Sequence, residues 1–330
     1  MWPEDVNGII RRSTALDVGV TDTDLKLALR SGELTLVDRG VCVRTERLPQ
    51  YGVTDAVYRL KVIAAAEGRD VPVSNESAAS IHGLDLLEPD HRRVHFATSR
   101  SGGGRRMATR HIHSGLSDDD VVEVDGIAVS NLVRTAIDVS AGKPFAQALA
   151  ALDSARRMGV GSDELDAELH RRRIRGGAVV TAALRYSDGR SANPGESWGR
   201  AQMIEAQLPV PDLQARFELR DGSVAFTDYE WEGRLVGEFD GLRKYGRDLK
   251  PGQSIDDVVV AEKLREDALR DHVTDVARWT VSDLRDHTMI PMLRRRMVRA
   301  GVDLEQTRHA SPPANSPDYK REPTHVAWSK

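Results

Sequence analysis

Three carboxylates near the end of the chain, Asp228, Glu238 and Asp240, sit on two runs that read as strands, Val224–Tyr229 and Arg234–Asp240. Side chains on a strand alternate faces, so the loop length decides whether these acids meet. A two-residue loop would pair position 228 with 237 and put Asp228 and Glu238 on opposite faces. A three-residue loop, Trp231-Glu232-Gly233 with the glycine left-handed, would pair 228 with 236 and 226 with 238. Asp228, Glu238 and Asp240 would then share a face, and the glycine at the third position favours this. Like charges held together raise one another's pKa and cost stability unless a cation joins them. Hard oxygen ligands suit Mg²⁺ or Mn²⁺, which can polarise a phosphodiester and activate a water. The competing reading is an exposed hairpin face carrying solvated acids.

Further elements would hold these strands. Asp188–Gly195 is rich in Gly, Ser, Asn and Pro and reads as a boundary, after which a helix is expected over Asn193–Gln207. Strands follow at Ala215–Leu219 and at the two acidic runs, then a helix near Asp257–His272, a strand at Val276–Thr280 and a helix from Ser282. Asn193 with Glu196 three residues on fits a capping box, and Pro194 suits the first helical turn. Glu196 therefore has a structural reading: it caps its helix and pairs with Arg200 at i+4.

The text Pro194-Gly195-Glu196-Ser197, the run from Gly233 to Asp240, Gly241-Leu242-Arg243-Lys244-Tyr245, the acidic-basic run from Glu262 to Asp267 and Arg278-Trp279-Thr280 resemble the PD-(D/E)XK nuclease superfamily, in the branch related to very-short-patch-repair endonucleases. The resemblance covers roughly residues 190–290 in α-β-β-β-α-β order. It implies that Asp228 and Glu238 hold the metal, with Asp240 beside them, and that Glu196 contributes from the first helix. The superfamily lysine belongs two residues after the Glu, where this chain has Asp240. In this branch its role would pass to Lys244 first or Lys263 second, steadying the attacking water and the transition-state charge. Lys244 also reads as a solvated loop cation, and Glu262–Asp267 as a charged helix face.

Residues 1–52 read as helix, turn, helix and hairpin. Ile9–Leu16 is expected to be helical and to end at a turn. Thr21 and Asp24 form a cap, Leu25, Ala28 and Leu29 give an apolar face, and Gly32 ends the second helix. Leu34–Val37 and Val41–Val43 flank the tight turn Asp38-Arg39-Gly40. In residues 53–187, helices are expected at Ala56–Glu67, Ser74–His82, Ser130–Ser140 and Phe145–Arg157, and a strand at Val94–Ala97. Arg134 and Asp138 stand at i,i+4.

The stretch Gly19 to Gly32, Asp38 to Val43, Ser74 to Ala79, His82-Gly83-Leu84 and Arg134 to Asp138 resemble the AbiEi family of type IV antitoxins and related regulators, over about residues 5–185. This implies a winged helix that binds DNA through Thr21–Ser31, with the hairpin on phosphates, and it leaves a cognate toxin and a homodimer open as partners. Lys26, Arg30 and Arg39 are the cations offered for DNA, while Asp22 and Asp24 at the helix start repel phosphate. A winged-helix shape used for protein contacts is the alternative.

The fold class expected is therefore a multidomain α+β or α/β chain: winged helix over 1–52, mixed α/β region over 53–187, restriction-endonuclease-like domain over 188–305 and a disordered tail over 306–330. At 30% charged and 40% hydrophobic residues, a soluble, cytoplasmic-type protein is expected, with no apolar run long enough to span a membrane. The net charge of −4 leaves DNA contacts to local patches such as Arg92–Arg93, Arg105–Arg106, Arg171–Arg175 and Arg294–Arg296. The single cysteine, Cys42, excludes a disulfide or Cys-based zinc site and reads as a half-buried strand residue. His111 and His113 form an H-x-H pair with His91 and His95 upstream, which suggests zinc, but without Cys or an HExxH run the reading adopted is ordinary strand histidines. Ser101–Gly104 reads as a flexible loop. The two functional readings are a metal-dependent DNA endonuclease and a non-catalytic DNA-binding regulator.

Overall fold

The computed structural model describes residues 2–99, 103–241, 269 and 272–305. The expected tail, the Asp257–His272 helix except Leu269 and His272, and the lysines Lys244 and Lys263 lie outside the described residues. The chain is mixed α+β. Its described residues divide into two compact units: the first runs to Ala141 and takes back Asp163–Ile174, and the second comprises Gly142–Ser162 and the described residues from Arg175 to Glu305.

The first unit opens with β1 (Ile9–Arg11), α1 (Arg12–Asp17), α2 (Asp22–Ser31), β2 (Leu34–Asp38) and β3 (Val41–Arg44), the strands ordered β1-β3-β2. The helix expected over Ile9–Leu16 thus begins only at Arg12. Ile9 and Ile10 are both fully buried, in different clusters: Ile10 with Ala15, Leu25 and Ala28, Ile9 with Val37, Val41 and Val43. Consecutive residues reach opposite sides only on a strand, and tertiary burial overrides the helical reading. Cys42 lies at 6% exposure on β3, and burial raises its thiol pKa. Thr21 and Asp24 cap α2 as expected, each accepting the other's backbone N–H, and Gly32 ends the helix at φ 78°.

The unit continues with α3 (Val53–Ala66), α4 (Asn75–His82), β4 (Val94–Thr98), β5 (Arg105–Arg106), β6 (Arg110–Ser114), β7 (Val121–Val124), β8 (Ile127–Ser130) and α5 (Leu132–Ser140). β4 and β6 pair in parallel, and β5 joins β6 antiparallel. Residues 1–52 and 53–141 fall in this one compact unit rather than two.

In the second unit α6 (Phe145–Arg157) packs on α8 (Gly177–Tyr186) and α9 (Pro194–Glu205), whereas α7 (Ser162–Arg171) belongs almost wholly to the first unit. The division therefore falls near Ala141 rather than at the Gly/Ser/Asn/Pro stretch before α9, because the core under α9 is completed by α6. β9 (Asp212–Glu218), β10 (Val224–Trp231), β11 (Leu235–Asp240) and β12 (Asp275–Thr280) form a sheet ordered β12-β11-β10-β9, antiparallel except for the parallel β11–β12 pair. α10 (Val281–Arg285) and α11 (Met289–Ala300) follow. α9 covers the sheet face bearing Tyr229 and Trp279: a Cβ on Gly199 would lie 3.1 Å from the Tyr229 hydroxyl and 3.2 Å from Trp279 Nε1.

Candidate functional site

The β10–β11 turn sets the acidic constellation. Trp231 pairs with Leu235, Glu230 with Val236 and Tyr229 with Gly237. Glu232 and Gly233 are both left-handed, at φ 55° and 65°, and Arg234 N–H donates to Trp231 O at 2.9 Å. The loop has three residues, but they are 232–234, not 231–233. Trp231 stays in the strand because its ring is 2% exposed and its indole N–H donates to Pro209 O at 2.9 Å. One further step along this register sets Asp228 opposite Glu238, not opposite residue 236. Alternation along the two strands thus puts both acids on one face, with Asp228 just beyond the last paired residue of β10.

Pairing between β10 and β11 ends at Tyr229. Asp228 Oδ2 accepts the Phe239 N–H at 2.8 Å, a donor that a longer ladder would have satisfied, which anchors the carboxylate at the Glu238–Phe239 peptide. The parallel register adds Arg278 abreast of Glu238 and Thr280 abreast of Asp240. Arg278 Nη2 lies 3.7 Å from Glu238 Oε2, the two side chains 30% and 13% exposed. Asp228, Glu238 and Arg278 therefore form one row across three strands, with half-buried Asp240 at the strand end.

Glu196 has a different setting. It is 5% exposed at the first turn of α9. Asn193 Oδ1 accepts the Gly195 and Glu196 N–H groups, and the Glu196 carboxylate accepts Ala192 N–H at 2.7 Å and Asn193 Nδ2–H at 2.8 Å, with Gln214 Nε2 at 3.5 Å. The capping role holds. The expected pair with Arg200 does not: Arg200 Nη2 bonds both oxygens of Asp153 at 2.7 Å, the side chains 3% and 0% exposed. Burial leads the effects that raise the Asp153 pKa, against the lowering by Arg200. Tyr229 O–H donates to Glu196 O at 2.7 Å. Burial first, then the charges of Glu196 and Asp228, push that phenol well above its usual range. The phenol lies within electrostatic reach of both acids.

In the front unit Lys26 and Arg30 are exposed on α2, and Arg39 is exposed in the β2–β3 turn. The two acids at the start of α2 are engaged: Asp22 accepts Arg12 at 2.7 and 2.6 Å, and Asp24 is held by Thr21. These bonds lower both carboxyl pKa values. Of the arginine clusters, Arg171 and Arg172 are committed to Asp120, Glu168 and Asp138, together with Arg134, whose expected bond to Asp138 is present at 2.8 Å. Arg92 is paired with Asp90 and Arg296 with Asp275. Arg105 and Arg106 are exposed on β5.

The histidines are not scattered. His95, His111 and His113 come together, each offering a nitrogen within 4.8 Å of the others. His95 Nδ1 and His113 Nε2 are 2.9 Å apart. Burial, followed by His111 and His95, pushes His113 down to about 4. Burial, then Arg106 and Arg93, lowers His111. His91 stands apart, stacked on Tyr58 at 4.2 Å.

No family model matches the chain. Over 258 residues, 75% of this chain and 87% of the relative, it is 30% identical to the uncharacterized protein Rv2248 of Mycobacterium tuberculosis, and equally to MT2308 from another strain of that organism. The chain belongs to the Rv2248 family. Among solved structures, the RV2827C protein of Mycobacterium tuberculosis aligns at a TM-score of 0.31 and 13% identity, covering 63% of this chain and 83% of that one.

Two features of this Rv2248-family chain escape a reading of residue spacing. Arg278 joins Glu238 only through the parallel β11–β12 pairing. Asp153 reaches Arg200 and Ser197 across more than forty residues. The signal for Arg278 was its place in a strand run that alternates buried Val276, Ala277 and Trp279 with polar neighbours. Among the described residues, no helix is long and apolar enough to cross a membrane.

Proposed function

We propose that the chain is a metal-dependent DNA endonuclease of PD-(D/E)XK type, with its phosphodiester chemistry at the face bearing Asp228 and Glu238. The observation that supports this most is the row Asp228, Glu238 and Arg278 across three adjacent strands. The donor set fits Mg²⁺ or Mn²⁺: two half-buried carboxylates abreast, with Asp240 one pleat further along. Bound there by Asp228 and Glu238, such an ion supplies Lewis acidity and lowers the pKa of a coordinated water. Asp228 is oriented by the Phe239 N–H. Arg278, permanently charged, offsets Glu238 and presents a planar fork suited to phosphate oxygens. That gives the cation sought in Lys244 or Lys263 a source within the sheet.

The front unit supports DNA delivery as a winged helix. Its helix, turn, helix and hairpin would set α2 in the major groove, with Lys26 and Arg30 on the exposed side and Arg39 on the phosphate backbone. Neutralisation of Asp22 by Arg12 removes the main electrostatic objection to that placement. A cognate toxin and a homodimer remain part of this proposal.

One observation favours the second reading, a non-catalytic DNA-binding regulator: Glu238 already has a cationic partner, and Glu196 is spent on helix capping. The two readings separate when the purified chain is incubated with supercoiled, linear and single-stranded DNA in Mg²⁺, Mn²⁺ or EDTA. The nuclease predicts metal-dependent nicking that Asp228→Asn and Glu238→Gln abolish. Intact DNA in every case, with salt-sensitive binding to the protein's own promoter, assigns the regulator.

A further inference from the structure

The histidine cluster is carried by strand register. β4 and β6 run in parallel with His95 opposite His111 and Ala97 opposite His113. Residues opposite each other share a face, and so do residues two apart on one strand, so all three imidazoles project from the same side. The other side carries Val94, Phe96 and Ile112 into the core with Tyr58 and Val62. Ala97 places only a methyl between His95 and the strand end, leaving room for the rings. They lie close: centroids are 3.9 Å apart for His111 and His113, 5.2 Å for His95 and His113, and 5.5 Å for His95 and His111.

We propose that His95, His111 and His113 bind a divalent late first-row transition metal, with zinc the expected occupant. At metal–nitrogen distances of about 2.0–2.1 Å, tetrahedral ligands stand roughly 3.4 Å from one another. The separations here run from 2.9 Å for His95 Nδ1 and His113 Nε2 up to a bound of 4.8 Å for the set. They bracket the required value, and small side-chain rotations bring all three nitrogens onto it. Glu76, 8% exposed at the start of α4, has Oε2 3.6 Å from His95 Nδ1, where it orients that ring beside the three-nitrogen set. Charge around the cluster is mixed: Arg93 and Arg106 act on His111, while Glu76 and Asp138 act on His113. Three imidazoles select zinc, cobalt, nickel or copper over magnesium, whose preference is for oxygen. This site belongs to the front unit and is independent of the acidic row on β10 and β11.

The test is Co²⁺ binding to tag-free, full-length protein stripped with a chelator. In excess Mg²⁺, which fills the proposed acidic site, one Co²⁺ per chain, a visible d–d band and displacement by Zn²⁺ are expected. His111→Gln and His113→Gln should each weaken binding at least about a hundredfold, since even outer-shell losses cost ten- to a hundredfold. His170→Gln, at an exposed histidine outside the cluster, should leave binding unchanged. A metal-free melting curve and circular dichroism establish that each variant folds. As a measurement on the unaltered chain, Zn²⁺ should protect His95, His111 and His113 from diethylpyrocarbonate, mapped by mass spectrometry. No stoichiometric Co²⁺ uptake, uptake unchanged in the Gln variants, or protection confined to other histidines would each overturn the site.

Discussion

Arg200→Met tests how α9 is held above the four-stranded sheet. In the native chain the Asp153 carboxylate accepts Asp188 N–H at 2.8 Å, Ser197 O–H at 2.7 Å and two bonds from Arg200 at 2.7 Å. Methionine fills similar volume but leaves a fully buried carboxylate with its two neutral donors. Removing one partner of a buried pair costs about 3–5 kcal/mol. Protonation offers the acid an escape: at pH 7 it costs about 4 kcal/mol for a group of ordinary pKa near 3.9, and about 1.4 kcal/mol less per pH unit below that. The deficit at pH 7 should therefore be about 3–4 kcal/mol. The sign follows from the folded pKa, which loss of the cation raises further above the unfolded value. A raised carboxyl pKa is a penalty absent below the unfolded pKa, growing as pH rises towards the folded one. The deficit should thus shrink from pH 7 to pH 5. Urea denaturation of both proteins at pH 5, 6 and 7 measures it, and Asp153→Asn in the Arg200→Met background should recover most of the loss. A deficit below about 1 kcal/mol at pH 7, or one that does not change between pH 5 and 7, refutes the argument.

The other expectations are more local. Gly237→Ala should destabilise by about 1–3 kcal/mol in urea denaturation, because its Cβ would lie 2.5 Å from Trp279 Cη2 and 3.1 Å from Trp231 Cζ3, both rings buried. Burial alone would raise the Asp120 pKa, but Arg171 and Arg134 overcome it and hold the carboxyl below its usual range. Its contribution is present above the unfolded pKa and lost as pH falls through the folded one, so Asp120→Asn should flatten that acid limb of the melting temperature. Arg278→Met removes a cation that competes for Glu238. The pair is partly exposed and worth under about 1 kcal/mol, so Mn²⁺ affinity by calorimetry should rise no more than about fivefold. DNA cleavage should nevertheless fall by about a hundredfold or more if Arg278 meets the developing charge; equal loss of both, or neither, contradicts that role.

Local sequence carried the caps and the longer helices, because their signals lie within a few residues. Thr21 with Asp24 forms the full capping box, Asn193 caps α9 with Glu196 returning its bond to Ala192 N–H instead, and α6 spans the expected Phe145–Arg157. Errors arose where a distant surface decided. Ile9 and Ile10 have two clusters to fill, so they form a strand. Trp231 has Pro209 to bond and a buried slot to occupy, so it leaves the turn and moves the register by two residues. The i+4 rule offered Arg200 to Glu196, but Asp153, fully buried on α6, offered two bonds and no water. An H-x-H pair is visible in any reading of the chain, whereas its third member, His95, depends on the parallel pairing of β4 with β6.

The same distinction bears on the acidic row. With Asp240 two positions after Glu238, a reading along β11 finds a third negative charge where a cation was sought. Across the sheet the balance changes, because parallel pairing brings Arg278 abreast of Glu238. Arg278 then offsets part of the negative charge that Asp228, Glu238 and Asp240 bring to this end of the sheet. The arginine serves this purpose whether or not a metal is bound, and it reaches the row from a neighbouring strand.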